Sequence, residues 1–144
     1  MGDQKDVVKE VVQVLHDGHK GFMDLAEHTK DIQVKSFFVK EAGTRAEFAR
    51  QLEIAASIPT DESGTTMGAV RRGWGDLKAK LGGSDHTLLE TAEQGEDAAK
   101  DAYQKALNEK EITGNVRQTL LIQQQHIFKS HDQVKAYRDS KKAA

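Results

Sequence analysis

The chain has 144 residues, 37% hydrophobic and 31% charged, with no cysteine and a single proline. That length suits one compact domain, and the absence of cysteine excludes disulfides, thiolate metal sites and cysteine nucleophiles. Twenty-one basic against 23 acidic residues give a formal charge of -2, which argues against a nucleic-acid binder. No apolar run is long enough to span a membrane, and the first ten residues alternate charge with valine instead of forming a leader, so the cytoplasm is the expected compartment.

In the first segment Val8, Val11, Leu15, Gly18, Phe22 and Leu25 recur at steps of three and four, the period of a helix with one buried stripe. This predicts a helix over about 4–30. Asp31 is a capping residue for a second helix, about 32–57, whose apolar positions are Val34, Phe38, Ala42, Phe48, Ala49, Leu52 and Ala56. Pro59 and the cluster Thr60-Asp61-Glu62-Ser63-Gly64 end it. Residues 64–82 carry five of the glycines, yet Met67, Val70, Trp74, Leu77 and Leu81 keep helical spacing, so a crossover with a short helix is expected there. Ser84 or Asp85 caps a third long helix, about 85–108, with Leu88, Ala92, Gly95, Ala99, Ala102 and Ala106 on one stripe. Thr113-Gly114-Asn115 turns into a fourth, about 115–139, marked by Val116, Leu120, Ile127, Val134 and Tyr137. Strand alternation is absent. The expected fold is all-α: residues 1–144 as a single four-helix bundle, helices paired by short turns and joined by one long crossover, the ferritin-like layout.

A bundle does chemistry through polar side chains that project from its seams. On the second helix Glu41 and Arg45 lie within the apolar arc; on the third, Glu96 lies between Ala92, Ala99 and Tyr103, with Glu93 at its edge; on the fourth, Gln123, Gln124 and His131 flank the stripe. Counting from the turns brings Glu41, Arg45, Glu93, Glu96, Gln124 and His131 to similar heights, a polar layer. A carboxylate-bridged di-metal centre needs a Glu-x-x-His pair on each of two helices. The residues three before the six histidines are Gln13, His16, Leu25, Gly83, Gln123 and Phe128, so that motif is missing. Gln123-x-x-His126 comes nearest, with an amide where hard iron favours a carboxylate. Arg45 instead supplies a permanent cation to neutralise Glu41 and Glu96, so Arg45 and Glu96 are expected to form a buried pair. Tyr103 and Trp74 read as packing residues with a polar tip.

The stretch Gly64-Thr65-Thr66-Met67-Gly68-Ala69-Val70-Arg71-Arg72-Gly73-Trp74-Gly75-Asp76-Leu77-Lys78 resembles the signature of a bacterial family of small stand-alone four-helix-bundle proteins of unknown function, related to the ferritin-like superfamily. Leu15-His16-Asp17-Gly18-His19-Lys20-Gly21-Phe22, Glu93-Gln94-Gly95-Glu96-Asp97-Ala98-Ala99 with Tyr103, and His131-Asp132 followed by Tyr137-Arg138-Asp139 are similar to it as well. The resemblance implies the bundle fold, a cytoplasmic location and an association with bacterial stress, but no reaction. Glu96-x6-Tyr103 matches a carboxylate and tyrosine spacing of di-iron helices, whereas Glu47-x-x-Arg50 and Phe128-x-x-His131 each lack half of a ligand pair.

The resulting expectation is a non-enzymatic, stress-associated structural or interaction protein that needs no cofactor and works as a homo-oligomer or with a protein partner, away from nucleic acid and membrane. Met67 and Trp74 are the interaction candidates. The alternative is an iron-handling or oxidase-like protein holding iron or another divalent metal through Glu41, Glu93, Glu96 and His131.

Overall fold

A computed structural model of the chain describes residues 3–59 and 73–141. Among them four long helices, α1 (Gln4–His28), α2 (Ile32–Ala55), α4 (Asp85–Leu107) and α5 (Gly114–Ser140), pack around one axis, with a one-turn helix, α3 (Leu77–Lys80), before α4. The starts follow from capping chemistry. Asp3, Asp31 and Ser84 each accept hydrogen bonds from backbone N–H groups one turn on, satisfying donors that a helix N-terminus leaves without partners. At the start of α5 Thr113 offers no such side-chain bond; its own N–H donates to Gln4 Oε1 at 3.3 Å.

Contacts at the ends set the directions. Asp85 accepts from the N–H groups of Lys30 and Asp31 at 2.9 and 2.8 Å, so α4 begins beside the turn between α1 and α2. The Thr113–Gln4 bond sets the start of α5 beside that of α1, and an ion pair joins Lys141 after α5 to Asp31 before α2. Hence α1 and α5 run one way and α2 and α4 the other, and α4 begins at the end of the bundle opposite to where α2 stops. Each long helix neighbours two others: α1 packs on α2 and α4, and α5 on α2 and α4. This is the bundle with one long crossover.

The crossover differs from expectation in its described part. Within 73–82 the helix is confined to Leu77–Lys80. Gly73 and Gly75 have φ of +87° and +59°, left-handed conformations that a right-handed helix cannot include. Trp74 therefore sits in a turn between them. Its ring enters a slot made by two more glycines: a Cβ on Gly21 of α1 would come within 2.7 Å of the indole, and one on Gly95 of α4 within 2.3 Å. Phe22 meets the indole edge-on at 5.2 Å. Met67 lies outside the described residues.

Two apolar clusters fill the axis. One gathers Val8, Val11, Leu15, Leu52, Tyr103 and Leu120; the other gathers Phe22, Leu25, Phe38, Trp74, Leu88 and Val134.

Candidate functional site

Between the two clusters all four long helices meet at a charged side chain. Arg45 of α2 is 1% exposed. Its Nη2 donates to Glu96 Oε1 of α4 at 2.5 Å, to Ser130 Oγ of α5 at 3.0 Å and to Glu41 Oε1 one turn back at 3.2 Å. Ser130 in turn donates its hydroxyl to the second oxygen of Glu96. From α1, Phe22 lays its ring 4.9 Å from the guanidinium carbon, a cation–π contact. Gly18 leaves room for the arginine stem, since a Cβ there would come 3.4 Å from Arg45 Cγ. The buried Arg45 Nε makes no hydrogen bond; the guanidinium commits one end to a cage of three oxygens.

Burial alone would weaken the arginine's hold on its proton, but the two carboxylates outweigh it and keep Arg45 charged. The carboxylates divide. Glu41 is buried too, yet the hydrogen bond from His126, whose Nε2 lies 3.0 Å from both its oxygens, and the Arg45 charge hold its carboxyl below the ordinary range. Glu96 is fully buried, and burial pushes its carboxyl up in spite of Arg45 and Ser130. The two acids that share one cation are therefore shifted in opposite directions, the deeper one upward. His126 is about one-third exposed and packs edge-on against Phe48, so it links the layer to solvent.

Glu41, Arg45 and Glu96 thus come together, while Glu93 and His131 lie at the outer α4–α5 seam. Glu93 is ion-paired with Arg138. His131 Nε2 is 2.9 Å from Asp97 Oδ1 and 4.0 Å from Glu93 Oε2. Gln123 belongs to a second polar contact, accepting from the Tyr103 hydroxyl at 2.7 Å and donating to the Phe48 carbonyl at 3.1 Å. Burial raises the Tyr103 phenol far above its ordinary range, so it remains a donor. Trp74 is 1% exposed, its ring held by this chain's own α1 and α4. Sequence reasoning missed Ser130, and it met His126 only as half of Gln123-x-x-His126, not as the partner of Glu41. Ser130 stands on the stripe between Ile127 and Val134, and that position was its available signal.

The donor set does not fit a di-iron centre, because a guanidinium occupies the space between the two acids. Among the described residues no three histidine or acidic side chains are grouped to hold a metal ion.

Residues 3–109 match the family described as Domain of unknown function (DUF2383). The chain belongs to this family. No match is found among curated proteins. The matched span carries α1, α2 and α4, hence Gly18, Glu41, Arg45 and Glu96 and both halves of the tryptophan slot, whereas Ser130 and His126 lie beyond it. No helix of the described residues is long and apolar enough to cross a membrane.

Proposed function

We propose that this chain is a cytoplasmic, stress-associated bundle of the ferritin-like kind that works by association with protein, not by catalysis, and that its centre is closed by Arg45 instead of a metal. The observation that carries the reading is the arginine nitrogen lying 2.5 and 3.2 Å from the two acids that would otherwise be ligands. A guanidinium supplies the positive charge without a cofactor, and losing it would leave two carboxylates buried without a cation. Kinship with ferritin-like proteins is supported by the topology, in which parallel α2 and α4 are joined by the crossover.

Metal analysis of protein expressed in iron-supplemented medium tests the proposal. Substoichiometric metal is the expected result; one or more tightly held ions per chain overturns it. The rival reading, a metal-binding protein, draws on one observation, the His126 Nε2 lying 3.0 Å from both oxygens of Glu41 beside the arginine nitrogen that also meets Glu96. Unchanged metal content in Glu96→Ala would remove it.

A further inference from the structure

Glu96 is an ionisable group in a sealed interior. Apolar clusters lie on either side of its layer, and α1 lines that layer with the Phe22 ring and the bare Gly18. For its carboxyl to exchange a proton with solvent in the folded chain, an unbroken line of groups must lead outward, each able to accept a proton and to give one. Arg45 touches Glu96 but stays charged, so it carries none. Tyr103, on the same helix, commits its hydroxyl to Gln123 and holds its proton far above the ordinary phenol range. Ser130 remains. Its hydroxyl donates to Glu96 Oε2, accepts from Arg45 Nη2 at 3.0 Å and also hydrogen-bonds to Glu41. Glu41 in turn meets His126 Nε2 at 3.0 Å through both of its oxygens. Exposure falls along this line, from 34% at the His126 side chain to 3% at Glu41, 3% at Ser130 and 0% at Glu96.

We propose that His126, Glu41 and Ser130 form a proton path between solvent and the buried Glu96, with His126 as its entry. Imidazole suits the entry, because it takes up and releases protons near neutral pH. On the inward passage the ring takes a proton from water at one nitrogen and gives the Nε2 proton to Glu41, breaking an N–H bond and making an O–H bond. Glu41 passes that proton to Ser130 Oγ as the serine O–H gives its own to Glu96 Oε2. A hydroxyl has one proton and two acceptor lone pairs, so Ser130 makes this exchange without dropping its bond from Arg45. The net change is one proton moved from water to the Glu96 carboxylate, and no group is oxidised or reduced. Outward passage reverses each step. Solvent pH thus reaches, through one imidazole, the charged layer on which three helices converge. The path operates whether or not the chain associates with protein, and metal content reads the closed centre separately.

Infrared-detected pH jumps on the full-length chain, made in both directions across the Glu96 titration, test the path. The carbonyl band of protonated Glu96 is the one missing from Glu96→Gln. In His126→Gln, which keeps a hydrogen-bond donor toward Glu41 but cannot relay a proton, the band should form and decay about a hundredfold more slowly than in the unmodified chain, the scale of a positioned proton carrier. His126→Ala should be as slow, and free imidazole should restore its rate in proportion to concentration, whereas pyrazole, of the same shape but far less basic, should not. Ser130→Ala should be slow and indifferent to imidazole. Circular dichroism confirms that each variant is folded; the two His126 variants, changed at a partly exposed position, decide the matter if Ser130→Ala does not fold. An unmodified rate in His126→Gln, or a slow His126→Ala that imidazole fails to speed, overturns the proposal.

Discussion

The two halves of the core, on either side of the Arg45 layer, are built differently. Toward the turn between α1 and α2 the interior is aromatic: Phe22 stacks tilted on Phe38 at 5.6 Å and edge-on to Trp74 at 5.2 Å, and Phe37 meets Tyr137 near the rim. Toward the other end it is aliphatic and small, with Val8, Val11, Ala49, Leu52, Ala99 and Ala106, and Tyr103 brings the hydroxyl that Gln123 accepts. Bulky rings need a cavity shaped for them, supplied by Gly21 and Gly95; small side chains let helices pack with no slot. The charged layer divides the halves and sets the lengthwise register, because Arg45 reaches acids on α2 and α4 and a hydroxyl on α5 at one height only.

Breaking the divider should have the largest effect. Arg45→Met leaves Glu41 and Glu96 buried without their cation and is expected to cost about 3–5 kcal/mol in urea unfolding, most of it regained when both acids are also changed to glutamine. Next, Trp74→Ala empties the slot at about 3–5 kcal/mol; amide exchange should accelerate mainly in the aromatic half, and uniform acceleration would show that the halves do not open separately. Tyr103→Phe strands the Gln123 carbonyl oxygen in the aliphatic half at about 1–3 kcal/mol. Asp85→Ala, which removes the acceptor of two backbone N–H groups at the aromatic end, should cost about 1 kcal/mol, the scale of a lost cap.

Proton linkage sharpens the layer itself. Burial raises the Glu96 carboxyl, so the folded chain gives up this proton at higher pH than the unfolded chain does. Stability from this group is full below its unfolded value and is lost as pH rises through the folded one. Glu41 has the opposite sign: its carboxyl is held down, and its contribution, present above the unfolded value, disappears as pH falls through the folded one. Urea midpoints across pH should therefore lose their decline above the ordinary carboxylate range in Glu96→Gln while keeping the acid limb. An unaltered decline would mean another group holds the proton.

The helices were legible because their stripes are long and their caps chemically explicit, as Asp31 and Ser84 illustrate. Asp85 was legible only as a cap for its own helix, since its service to Lys30 and Asp31, more than fifty positions away, is a tertiary fact. The crossover misled because Trp74 and Leu77 keep helical spacing while Gly73 and Gly75 break the backbone between and beside them. Arg45, Glu41 and Glu96 could be named from angular position. Their neighbours could not be chosen from angle and height alone, since side chains of different reach at one level diverge: His131 turned to Asp97 and His126 to Glu41.

Trp74 is the only tryptophan of the chain, and its ring lies against both α1 and α4. The molecule therefore carries an optical gauge at the joint between its two helical hairpins. Emission should move to longer wavelength when the hairpins part, even if each remains helical, so fluorescence and circular dichroism followed together would time hairpin assembly separately from helix formation.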